Sequence, residues 1–81
     1  NEQDRLAREE TRIDNVRNQL EHLLNDFRMD YIEHHLKELQ QKIKTATNGP
    51  ADELMKLMAE YKDTQELRNK LARMLGNDIV V

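Results

Sequence analysis

The residues with most chemistry to offer are the three histidines, and the adjacent pair His34-His35 is the first to suggest a metal. Consecutive helical residues point about 100° apart, so the two rings cannot readily ligate one ion. Asp30 with His34 and His22 with Asp26 are spaced i,i+4 and each makes half a site, but no third ligand stands at suitable spacing. They read as surface histidines, and neither a metal nor any other cofactor is expected. Nucleophiles are scarcer still. The chain has no Ser and no Cys, and Thr11, Thr45, Thr47 and Thr64 have no base at triad-like spacing. Carboxylates are many, yet they alternate with Lys and Arg in the manner of ion-paired helix surfaces. No Gly-rich phosphate loop exists. No catalytic and no cofactor-binding residue can be nominated, and the expectation is a non-enzyme.

The elements that would position any site are helices. Leu, Glu, Lys, Arg, Gln and Asn dominate the 81 residues, which suffice for one small domain with a modest core. Charged residues make up 36% of the chain with mixed signs, which reads as solvated helix faces. A net charge of −3 argues against a dedicated phosphate-backbone binder. Lys37, Lys42, Lys44, Lys56, Lys62, Lys70 and Arg73 form no continuous strip, and no aromatics interleave with them, so no direct nucleic-acid contact is expected. Absence of Cys excludes disulfides and thiolate zinc sites and suits a cytoplasmic protein. No apolar run reaches the ~20 residues needed to span a bilayer, so no membrane partner is expected. The chain opens Asn1-Glu2-Gln3 without a Met, as expected of a piece of something longer.

The sole Pro and one of the two Gly residues fall in Thr47-Asn48-Gly49-Pro50-Ala51-Asp52-Glu53. Gly past one helix end and Pro at the first position of the next mark a boundary. Asn48 or Gly49 can cap the incoming helix, and Asp52 and Glu53 complement the dipole of its first turn. So short a connection folds two helices back antiparallel. Upstream, Ile13, Val16, Leu20, Leu23 or Leu24 and Phe27 alternate three and four apart along one helix face, and Ile32, Leu36, Leu39 and Ile43 form a second stripe. At about 100° per residue the two stripes are rotated by roughly 130–140° around the helix. Either the helix breaks near residues 25–30, with Asp30 and Glu33 as a capping box, or one long helix shows different faces along its length. With no Gly or Pro at the junction, the continuous helix is the preferred reading.

The second helix is expected from Pro50 to Leu75. Its seam is Leu54, Leu57, Tyr61, Thr64, Arg68, Leu71 and Leu75, with Gly76 as a left-handed cap and Asn77 to Val81 as an extended tail. Arg68 in that seam either snorkels or awaits a carboxylate on a partner. A helix of about 26 residues spans about 39 Å and reaches back along the first only to residue 20–22. Ile13, Val16 and Leu20 are then left uncovered, which calls for a second copy or an upstream segment.

From Leu24 to Val81 the layout resembles the extreme C-terminal part of bacterial replicative DNA primases of the DnaG type. The resemblance lies in the Leu24–Ile43 helix, the short turn, Leu54-Met55-Lys56-Leu57-Met58-Ala59-Glu60-Tyr61-Lys62, and the close Leu67-Arg68-Asn69-Lys70-Leu71-Ala72-Arg73-Met74-Leu75-Gly76-Asn77-Asp78-Ile79-Val80-Val81. It implies a non-catalytic, cytoplasmic module that binds the N-terminal domains of the hexameric replicative helicase and recruits primer synthesis to the fork. It also implies an upstream part of the same primase chain to cover Ile13, Val16 and Leu20. It assigns no contact residue.

The expected architecture is all-α: a long first helix folded back on a second as an antiparallel helical hairpin. Residues 1–23 are an N-terminal helical extension and 24–81 the hairpin. The core is Leu36, Leu39, Ile43, Leu54, Leu57, Tyr61 and Leu71. The expected partner-binding residues are Leu67, Met74, Leu75, Ile79, Val80 and Val81, which are apolar and near the free end of the second helix. The alternative function is a homodimerising coiled-coil module with no dedicated partner, carried by the two heptads from Ile13 to Phe27.

Overall fold

The computed structural model describes residues 1–77 as two helices, α1 (Glu2–Ala46) and α2 (Ala51–Asn77), joined by a four-residue turn. The expected tail residues Ile79, Val80 and Val81 lie outside the described residues. The helices form an antiparallel hairpin in a particle of 72 × 17 × 16 Å, so α1 extends well beyond its partner.

α1 is continuous for 45 residues, and the break considered near residues 25–30 is absent. No capping box forms, because Asp30 lies inside the helix, and the Glu33 carboxylate reaches α2, meeting Arg68 Nη2 at 3.4 Å. That contact also answers for Arg68: the carboxylate it needed is on α1. At its start, Asn1 caps the helix by accepting a hydrogen bond from the Asp4 amide at 3.0 Å, with Glu2 and Asp4 in the first turn. At its end, Thr47 is still right-handed, and the Gly49 amide closes the turn by donating to the Ala46 carbonyl at 3.0 Å. α2 begins at Ala51, with the Leu54 amide donating to the Pro50 carbonyl.

Gly76 departs from expectation. It lies within α2, and no glycine among the described residues has positive φ. Glycine adopts right-handed dihedrals as well as left-handed ones at a cost of about 1 kcal/mol, so an end-position glycine permits a left-handed cap without imposing it.

The seam of α2 follows its spacing. Leu54, Leu57, Tyr61, Thr64, Arg68 and Leu75 are half-buried and Leu71 is buried. Opposite them on α1, Leu39 is almost wholly buried, Ile32 is buried, and Leu36 and Ile43 are half-buried. The polar members are satisfied. Thr64 Oγ1 donates to the Glu60 carbonyl at 2.7 Å, and the Tyr61 hydroxyl accepts from Gln40 Nε2 at 3.0 Å. Burial on α1 begins at His22 and Asn25, so the first 21 residues are all exposed. The reach estimated from helix length holds.

Candidate functional site

Where α2 approaches its end, the two helices do not close fully over each other. A cleft of about 560 Å³ opens there. Phe27, Arg28, Tyr31 and Ile32 of α1 form one wall, and Leu67, Lys70, Leu71 and Met74 of α2 form the other. Ile32 and Leu71 are its buried floor, while Phe27 and Tyr31 stand 64% and 73% exposed. Leu67 and Met74 are about half exposed. This wall exists because each helix carries apolar residues one step off its seam. Phe27 and Tyr31 are i,i+4 on α1, and Leu67, Leu71 and Met74 run i, i+4, i+7 on α2. Arg28 and Lys70 put positive charge beside apolar surface, the mixture suited to an amphipathic segment with an acidic edge.

Arg28 is steadied by its own helix, donating from Nη1 to Asn25 Oδ1 at 3.1 Å. Asn25 is 7% exposed, the one buried polar residue among the described residues. Its burial was not expected. Its signal is faint: Asn25 lies seven residues before Ile32 and fourteen before Leu39, on the same line of the helix. The Tyr31 ring stacks on His35, with centroids 6.4 Å apart and planes 14° from parallel.

Of the expected partner-binding residues, Leu67 and Met74 lie together in the cleft. Leu75 is half-buried in the α1–α2 seam and does not line it. Ile79, Val80 and Val81 fall outside the described residues. Phe27 and Tyr31, which complete the cleft, were legible as apolar residues but not as a wall facing Leu67.

A second apolar surface lies on the overhang. Ile13, Val16, Leu20 and Leu24 form a shallow depression flanked by Arg17 and Glu21. Ile13, Val16 and Leu20 are 50–61% exposed, somewhat less than Phe27 farther along the same face.

The histidines pair with carboxylates. His22 Nε2 lies 3.7 Å from Asp26 Oδ2, and His34 Nε2 lies 3.2 Å from Glu38 Oε1. His35 bridges the helices, with Nε2 at 3.1 Å from Glu60 Oε1 and Nδ1 at 3.7 Å from Glu38 Oε2. Among the described residues no three potential ligands gather about a common point. No described helix is long and apolar enough to cross a membrane.

The chain belongs to the family described as Domain of unknown function (DUF8430), whose profile spans residues 2–80. No curated protein and no solved structure matches it.

Proposed function

We propose that the chain is a non-catalytic protein-interaction module, built as a rigid hairpin that offers a side cleft to a partner. The observation that carries this reading is the cleft itself, where four large apolar side chains, Phe27, Tyr31, Leu67 and Met74, stand about half or more exposed around a buried floor. Contiguous exposed apolar surface rimmed by charge is costly to keep unless it is used. A cleft of this kind fits an amphipathic helix laid along it, with Arg28 and Lys70 meeting acidic residues at its edge.

The partner we propose is the N-terminal domain of a bacterial hexameric replicative helicase, with the module recruiting a primase to the fork in the cytoplasm. This identity rests on the likeness of Leu24 to Val81 to primase C-terminal regions. Calorimetric titration of the chain against the helicase N-terminal domain of the same bacterium is the test, and saturable binding is expected. Leu67→Glu combined with Met74→Glu should weaken that binding at least tenfold while the hairpin unfolds at an unchanged temperature, because both side chains lie off the seam. Undiminished binding by that variant would remove the cleft assignment. No binding by the parent chain would remove the helicase.

A further inference from the structure

The overhang of α1 carries more pattern than exposure alone requires. Leu6, Ile13, Leu20 and Phe27 recur every seven residues, with Val16 and Leu23 interleaved, and all six are at least half exposed. This is a heptad seam on α1 that α2 leaves uncovered and that meets the cleft at Phe27. We propose that a second copy of the chain covers it, the two α1 helices pairing antiparallel about a twofold axis near Asn18.

Charge decides the orientation. In a parallel pair, the seam positions Glu9 and Asp30 would each face their own counterpart, placing like carboxylates inside the interface. In the antiparallel pair Ile13 meets Leu23 of the second copy and Val16 meets its Leu20, while Glu9 falls beside Phe27. The flank of the seam then adds a match. It runs Arg5, Arg12, Gln19, Asp26, Glu33, positive toward the start and negative toward the end. Reversing one copy sets Arg12 against Asp26, twice by symmetry, and Gln19 against Gln19. On the opposite flank Arg17 approaches its own counterpart, but each is accompanied by Asp14 of its own helix, 3.6 Å away. Asp26 pairs with His22, at 3.7 Å, and remains half exposed. α2 lies on the other side of α1, so it does not obstruct the pairing. The overlap of residues 6–30 spans about 36 Å at 1.5 Å per residue.

Phe27 is common to this seam and to the cleft, whereas Leu67 and Met74 belong to the cleft alone and Leu20 to the seam alone. Leu67→Glu with Met74→Glu therefore reads helicase binding and Leu20→Asp reads the dimer, so failure of one is told from failure of the other.

Sedimentation equilibrium of the full 81-residue chain across a wide concentration range is the first test, and a monomer–dimer equilibrium is expected. Leu20→Asp should raise the dimer Kd by about 100-fold or more, since it places a charge in each of two central layers. Far-UV circular dichroism should show the helices retained, because Leu20 touches nothing in the hairpin core. Arg12→Asp alone should weaken the dimer about tenfold, and adding Asp26→Arg should recover it, because the pair is restored with reversed signs. A chain that stays monomeric throughout overturns the proposal and hands the stripe to a different segment or protein. A dimer indifferent to Leu20→Asp overturns it equally. Failure of the double substitution to recover the single one overturns the antiparallel register.

Discussion

α1 divides into two lengths that share one unbroken backbone and differ in what their apolar faces meet. From His22 onward its stripe is covered by α2, and Leu39 is 1% exposed. Before that, Ile13, Val16 and Leu20 are no less apolar but stand 50–61% exposed on the other side of the helix. The helix does not register the change, because its hydrogen bonds are local and depend little on which way the side chains point. The hairpin half can draw stability from burial. The overhang has only propensity, one cap and i,i+3 ion pairs such as Arg17 with Asp14 and Arg5 with Glu2, each contributing a few tenths of a kcal/mol. A single helix therefore serves as a structural core along one half and as exposed surface along the other.

That contrast can be broken or sharpened by substitution. Leu39→Ala should have the largest effect, about 2–5 kcal/mol of stability, seen as a clear drop in the urea midpoint, since it empties the most buried side chain. An unchanged midpoint would show that the core lies elsewhere. Asn25→Ala marks the edge of the covered half and should cost about 1 kcal/mol, through the lost acceptor for Arg28 and the lost packing. Glu33→Gln should cost less than about 1 kcal/mol and lose its effect in high salt, because its bond to Arg68 is close to half exposed on both sides. Smallest of all, Leu20→Ala should leave the unfolding of a dilute, monomeric sample within about 0.5 kcal/mol of the parent. Hydrogen exchange reads the same contrast without mutation. In dilute samples protection should fall away N-terminal to about His22 and stay high from Ile32 to Ile43. Concentrating the sample should raise protection over Ile13 to Phe27 if a second copy seats there.

Much of the hairpin was legible beforehand. Spacing alone identified all seven α2 seam residues, and the sole Pro beside Gly49 located the turn. The uncovered stripe followed from helix length, because rise per residue is nearly invariant. What was not legible depended on choices with small energy differences. Gly76 can adopt either hand of helix. Asp30 and Glu33 spell a capping box as well as a mid-helix pair, and only the presence of Arg68 across the seam settles where the Glu33 carboxylate goes. The cleft falls in between: being apolar near the free end of α2 points to Leu67 and Met74, which line it, and equally to Leu75, which belongs to the seam.

The sequence by itself determined that there are two helices, that they fold back on each other, and which stripe of α2 faces inward. These depend on periodicity, on turn chemistry and on helix length, which act within a few residues of each other or by fixed geometry. Only the tertiary structure decided that α1 runs unbroken past residue 30, that Arg68 finds its carboxylate on α1, that Asn25 is buried, and that Phe27 and Tyr31 stand across a cleft from Leu67 and Met74. Apart from the unbroken run of α1, each of those is a meeting of residues more than thirty positions apart, or a burial that such a meeting creates. Local patterning supplies the faces, and only packing brings them together.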